Sequence, residues 1–155
     1  MPIDIPERYQ KYISIATNEA QTAFNNDEIP VGSVIVKDEK ILSRAHNLIE
    51  KNKDITAHSE MIAIKRAIKK QGKFLNNCLI FTTLEPCPMC LSAIIYSRIE
   101  KIVYLVKDPI WGALGGLYDL RTFLHHSNRP VSEFIYYKPA EELIKQFFKS
   151  LRIKK

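Results

Sequence analysis

The sequence predicts a three-layer α/β/α sandwich built on a mixed, mostly parallel sheet of about five strands. Short apolar runs rich in Val, Ile and Phe alternate with longer segments of helical period, the pattern of strands joined by right-handed helical crossovers. The first two runs are separated only by Asp38-Glu39-Lys40, a polar turn that makes a hairpin and hence a mixed sheet. No internal repeat, Gly/Ser linker or low-complexity tract interrupts the 155 residues, so residues 1–155 are expected to form one domain.

The first helix is expected over residues 6–25, where Tyr12, Ala16, Ala20, Ala23 and Phe24 recur near helical spacing, and Asn25-Asn26-Asp27 ends it. Residues 31–36 read as a buried strand and 41–45 as its hairpin partner, followed by a polar stretch over 47–54. A second helix carries Ala57, Met61, Ile64, Ala67 and Ile68 on one face, with Thr56 or Asp54 as the expected cap and Gly72 at the end. Residues 78–82 read as a strand, 88–96 as a helix and 102–106 as a strand. Then come a loop over 108–116 with three glycines, a last strand over 131–136 and a closing helix over 140–152.

At this size folding removes about 70% of the unfolded chain's accessible surface, so a core needs no staples. Hydrophobic residues at 46% and charged residues at 26% exclude disorder, collagen and coiled coil for the whole chain. No apolar run approaches the ~18 residues a bilayer span needs, and the first ten residues resemble neither a secretory nor a transit signal, so no membrane association and a cytoplasmic location are expected. An excess of 23 Lys+Arg over 17 Asp+Glu, net +6, favours a polyanionic partner without specifying one. Five basic residues and no acid lie between Lys145 and Lys155, suiting either a solvated helix end or a phosphate-contacting tail. Three cysteines are too few for a disulfide framework. Cys78 opens an apolar run and reads as core, whereas Cys87 and Cys90 have the spacing of a metal clip or redox pair.

Chemistry concentrates in Thr56-Ala57-His58-Ser59-Glu60 and Glu85-Pro86-Cys87-Pro88-Met89-Cys90, each where a helix should begin. One His and two Cys can supply three ligands to tetrahedral zinc and leave a fourth position for water, which distinguishes a catalytic from a structural site. Two thiolates formally cancel the dication, but backbone amides at helix N-termini favour thiolate and hydroxide. Pro88 suits the first helical position, where no N–H is required. Glu60, two residues after His58 at ~100° per residue, diverges from the ligand direction and is placed to act as general acid/base on the water. A redox pair, or a four-ligand structural site completed by His46, His125 or His126, remains an alternative at this stage.

His-x-Glu followed 29 residues after the histidine by Pro-Cys-x-x-Cys is the zinc deaminase signature. The chain resembles the bacterial tRNA-specific adenosine deaminases, of the cytidine deaminase-like superfamily, from about Tyr9 to Arg152. The matching segments are Glu28-Ile29-Pro30-Val31-Gly32, Ala45-His46-Asn47, Asp54-Ile55-Thr56-Ala57-His58-Ser59-Glu60, Thr83-Leu84-Glu85-Pro86-Cys87-Pro88-Met89-Cys90, Tyr96-Ser97-Arg98-Ile99 and Phe147-Phe148. The resemblance implies hydrolytic deamination of adenosine to inosine at the wobble position of a tRNA anticodon, typically of an arginine tRNA. It implies one zinc per subunit held by His58, Cys87 and Cys90. Glu60 is implied to move a proton from the activated water to adenine N1 and to assist ammonia release. Asn47 is implied to hydrogen-bond the base, Ile29, Val31 and Leu84 to line its pocket, and Asp108 to lie near the flanking nucleotides. A homodimer is also implied, with the helix around Met89 to Arg98 as the contact, as is the anticodon stem-loop as partner. A loop base is economical to extrude, since unstacking costs only a few kcal/mol.

The chain departs from that pattern in places. Where the family usually reads Asp-x-Lys-x-Gly-Ala, this chain has Asp108-Pro109-Ile110-Trp111-Gly112-Ala113, losing a basic residue and gaining its only Trp, which can stack on a base or be buried. Asn128-Arg129-Pro130 alters a usual Asn-His-Arg order, and Ser59 stands where Ala is frequent. Two other functions fit parts of the same reading. A deaminase of a free base or nucleoside (guanine, cytosine or cytidine) would share the zinc and the glutamate, and an RNA-binding module with structural zinc would need a fourth protein ligand.

Overall fold

The computed structural model describes residues 4–123 and 128–154. The elements are α1 (Glu7–Asn25), β1 (Gly32–Lys37), β2 (Lys40–His46), α2 (Ile49–Asn52), α3 (Ser59–Gln71), β3 (Cys78–Thr82), α4 (Pro88–Tyr96), β4 (Lys101–Tyr104), β5 (Val131–Phe134) and α5 (Lys138–Lys154), with a 3-10 turn at Leu120–Phe123. The strands form one sheet in the order β2-β1-β3-β4-β5. β1 is antiparallel to both β2 and β3, while β3, β4 and β5 pair in parallel. Four strands therefore point one way and β1 alone runs against them. The mixed character follows from the hairpin: Lys37 pairs with Lys40, and Asp38 and Glu39 between them take φ of 48° and 63°, the twisted two-residue turn that right-handed strands require.

Side-chain alternation then sorts the sheet into two buried faces. Ile35, Ile80, Ile102 and Tyr104 point to one side, where Ala63, Ile64 and Ala67 of α3 and Leu91, Ile94 and Ile95 of α4 cover them. Val34, Val36, Phe81 and Val103 point to the other, against Tyr9, Tyr12, Ile13 and Ala16 of α1 and Ala140 of α5. Both α3 and α4 are crossovers between strands of one direction, so both begin at the carboxyl ends of β2 and β3. The reversed strand β1 brings its first residues to that same end.

Several local expectations are revised. Neither Thr56 nor Asp54 caps α3. Asp54 Oδ1 instead accepts from the Thr56 backbone N–H at 2.8 Å and its hydroxyl at 2.6 Å, closing a tight local turn, while Asn47 Oδ1 accepts from Ser59 N at 2.7 Å and caps the helix from twelve residues upstream. The polar stretch over 47–54 contains α2, whose Glu50 and Lys51 N–H groups donate to the buried Glu28 carboxylate at 3.1 and 2.8 Å. The last two strands are shorter than expected because Leu105, Val106 and Ile135 leave the regular ladder, though they stay buried. Gly32 is required by close approach: a Cβ there would lie 2.0 Å from the Ala16 carbonyl oxygen of α1. No helix among the described residues is long and apolar enough to cross a membrane.

Candidate active site

His58 is the N-cap of α3 and Cys87 the N-cap of α4, with Pro88 opening the helix and Cys90 in its first turn. The ligand atoms of His58, Cys87 and Cys90 all lie within 4.8 Å of one another, the only such metal-competent group of His, Cys and acidic residues among the described residues. His58 Nδ1 stands 3.7 Å from Cys87 Sγ and 3.5 Å from Cys90 Sγ. Tetrahedral zinc, with Zn–S of about 2.3 Å and Zn–N of about 2.0–2.1 Å, separates its N and S ligand atoms by about 3.6 Å. The donor set therefore fits one zinc ion.

The electrostatics agree with that fit. The neighbouring Cys90 side chain, with help from His58, holds the Cys87 thiol down to about 4 against the opposing effect of burial, while contact with Cys87 and burial push Cys90 well up. The Cys87 sulfur in turn raises His58, assisted by the charge of Glu60, against the opposing effect of burial. Glu60 is only 4% exposed, and loss of hydration pushes its carboxyl upward, the direction that suits a group required to carry a proton.

His46 takes no part in the metal group, since its Nδ1 lies 2.7 Å from Glu19 Oε2. Cys78 is buried in the core at the opposite end of β3 from the site. His125 and His126 lie outside the described residues.

The other expected site residues separate. Asn47 is buried and bonded to Ser59 N, hence against the start of α3; Val31 O accepts from Asn47 N at 3.2 Å, and Val31 N donates to Ile29 O at 2.8 Å, so this segment runs alongside. Leu84 is half-buried and packs toward the α1/α5 side of the sheet. Asp108 spends Oδ1 on its own loop, accepting from Ile110 N and Trp111 N at 2.9 and 3.1 Å.

Sequence reasoning missed Glu85, although it lies in the cysteine segment. Its buried carboxylate accepts backbone N–H groups from Asp108, Leu114 and Gly116, and a Cβ on Gly112 or Gly116 would meet its oxygens at 2.5 or 2.4 Å. With Ala113 N donating to Pro86 O at 2.9 Å, Glu85 ties the loop over 108–116 to the entry of the cysteine helix. Trp111 rides on this loop, 66% exposed. Ser33 and Thr82, fully buried near Glu60, were missed as well, and Ser59, which reads in the sequence as a harmless replacement, is buried with them.

Residues 6–106 match the family described as the cytidine and deoxycytidylate deaminase zinc-binding region. The chain is 40% identical over 142 residues to a tRNA-specific adenosine deaminase of Aquifex aeolicus, covering 91% of this chain and 94% of that protein. It is 37% identical to a tRNA-specific adenosine deaminase of Bacillus subtilis, covering 93% and 91%. Among solved structures it is similar to one from biochemical and structural studies of A-to-I editing by tRNA:A34 deaminases at the wobble position of transfer RNA. The TM-score is 0.75 and the identity 31%, with 88% of this chain and 98% of that chain covered. It is also similar to a guanine deaminase from Bacillus subtilis, with TM-score 0.62, identity 29% and 93% of each chain covered.

Proposed function

Because the chain belongs to the cytidine and deoxycytidylate deaminase zinc-binding family, and within it to the tRNA-specific adenosine deaminases, we propose that it converts adenosine to inosine hydrolytically at the wobble position of a tRNA anticodon. The observation that carries this reading is a three-donor zinc group at two helix N-termini with a buried glutamate beside it and an anchored asparagine at its edge.

His58, Cys87 and Cys90 hold the metal. Zinc, when bound, supplies the Lewis acidity that makes water nucleophilic near neutral pH. Glu60 takes a proton from the attacking water and delivers it to adenine N1, then takes the remaining proton from the hydroxyl added at C6 and passes it to the departing amine, so adenosine and water become inosine and ammonia. Asn47 orients the base: its Oδ1 is committed to Ser59 N, so its Nδ2 hydrogens are what it offers to an acceptor on the ring. Ile29, Val31 and Leu84 supply apolar wall, and Asp108, on the loop held by Glu85, sits toward the flanking nucleotides.

An arginine tRNA is the expected substrate, met in the cytoplasm through its anticodon stem-loop. We read residues 1–155 as one deaminase domain with a basic C-terminal helix. On α5, Phe147 is buried against Phe24, while Lys149 and Arg152 face outward near the end. A homodimer fits α4, whose outer side carries half-buried Met89 and Ala93 and ends in Tyr96, 76% exposed.

The test is purified, zinc-loaded protein given an unmodified tRNA with adenosine at the first anticodon position. Inosine at that position is expected. Its absence beside a working positive control overturns the reading. The likeness to guanine deaminase favours a second reading, action on a free base. Ammonia release from a panel of bases and nucleosides, compared with release from the tRNA, separates the two.

A further inference from the structure

Glu60 is held from two sides. Its Oε2 accepts from the Ser59 hydroxyl at 3.1 Å and its Oε1 from the Thr82 hydroxyl at 3.4 Å. Behind them lies Ser33, with its Oγ 2.7 Å from Ser59 Oγ and 3.1 Å from Thr82 Oγ1; because those two hydroxyls donate to Glu60, the single Ser33 hydrogen bonds one of them at a time. The three hydroxyl residues are 0% exposed and come from three elements: the start of β1, the start of α3 and the end of β3. Ser33 and Thr82 are register partners across the β1–β3 pair, so backbone pairing fixes their separation.

We propose that Ser33, Ser59 and Thr82 form a buried hydroxyl ring that locks the Glu60 carboxylate in its working orientation, as positioning residues for proton transfer. This rests on the reading of Glu60 as the proton carrier. The ring lies on a sheet face whose other buried side chains are mostly apolar: by period two, Ser33 shares its face with Ile35, and Thr82 shares its face with Ile80. Alanine or valine would fill these positions with nearly the same volume, and a buried hydroxyl is costly unless bonded. Each hydroxyl is bonded within the ring, and the two outer ones end on Glu60. Ser59 is the residue that bonds both Ser33 and Glu60. Glutamate has three side-chain torsions, and a hydrogen bond on each oxygen removes the freedom that would let the carboxylate swing from the water and the base. Each oxygen keeps a further lone pair for them.

The ring also ties α3 to the sheet, and the test must separate that structural effect from positioning. Ser43 supplies the control: its buried hydroxyl donates to Ala63 O of α3 at 2.7 Å and contacts no part of Glu60. The experiment measures kcat and KM on the tRNA, zinc per chain and Tm for Ser59→Ala, Ser33→Ala, Thr82→Val, Thr82→Ser and Ser43→Ala. We expect Ser59→Ala and Thr82→Val to lower kcat about tenfold with KM and zinc unchanged. Thr82→Ser, which keeps the hydroxyl, stays within about twofold of the parent. Ser33→Ala lowers kcat about threefold and adds little on top of either outer variant, because it acts only through them. Ser43→Ala lowers Tm and leaves kcat alone. Parental kcat in both Ser59→Ala and Thr82→Val, or equal losses in Thr82→Ser and Thr82→Val, overturns the ring while leaving the deaminase reading intact. If the parent makes no inosine, the same variants are compared by ammonia release from guanine. A parent inactive on both substrates overturns the deaminase reading and the ring with it.

Discussion

Replacing Glu85 by glutamine tests whether one buried carboxylate holds the loop beside the site. Its Oε2 accepts from Asp108 N at 2.9 Å, and its Oε1 accepts from Leu114 N at 2.9 Å and Gly116 N at 2.7 Å. Glutamine has the same shape but only one acceptor oxygen. If that oxygen stays with Leu114 and Gly116, the amide nitrogen confronts the Asp108 N–H, donor against donor. The loss is one bond to a charged acceptor, about 1.5–3 kcal/mol, plus some weakening of the other two, which now end on a neutral oxygen. A total of about 2–4 kcal/mol, at about 2–4 °C per kcal/mol for a chain of this size, lowers Tm by about 4–16 °C. Differential scanning calorimetry of the zinc-loaded protein reads this directly. Metal content should stay at one zinc per chain, while kcat/KM on tRNA falls because Asp108 and Trp111 lose their support. A Tm within about 1 °C of the parent would refute the reasoning.

Other substitutions probe separate parts. Gly32→Ala places a Cβ 2.0 Å from the Ala16 carbonyl oxygen, so α1 and β1 must separate; denaturant unfolding should show a loss of at least ~3 kcal/mol. Glu60→Gln should keep its zinc, by metal analysis, yet lose at least ~100-fold in single-turnover rate, and an unchanged rate would remove Glu60 from proton transfer. Trp111→Ala should raise KM for the tRNA about tenfold with kcat little changed if the exposed ring stacks on a base, a contact worth about 1–3 kcal/mol. Unaltered KM would assign Trp111 elsewhere.

The parts legible in the sequence are those whose chemistry is local. His58 and Glu60 lie two residues apart, and Cys87 and Cys90 three apart, each pair at a helix start marked by its neighbours; the crossover connections then bring the two starts together. Strands β1 and β3 were readable because both of their faces are buried, giving continuous apolar runs. Long-range satisfaction of polar groups was not readable. Asn47 caps α3 across a loop, Glu28 caps α2 from 22 residues away, and Glu85 reaches amides 23, 29 and 31 residues downstream. Asp54 and Thr56 carry the residue types of a cap, yet they satisfy each other. Ser33 and Thr82 are commonplace strand residues until register sets them opposite each other and α3 delivers Ser59 between them and Glu60.

The most direct measurement is the metal itself. Native mass spectrometry of protein purified without chelator, with X-ray absorption at the zinc edge, should find one zinc per chain bound through two sulfurs and one imidazole, completed by a light solvent atom. Protein carrying no transition metal at any stoichiometry, with Cys87 and Cys90 both freely alkylated, would contradict the zinc deaminase reading. So would a fourth protein ligand closing the coordination sphere.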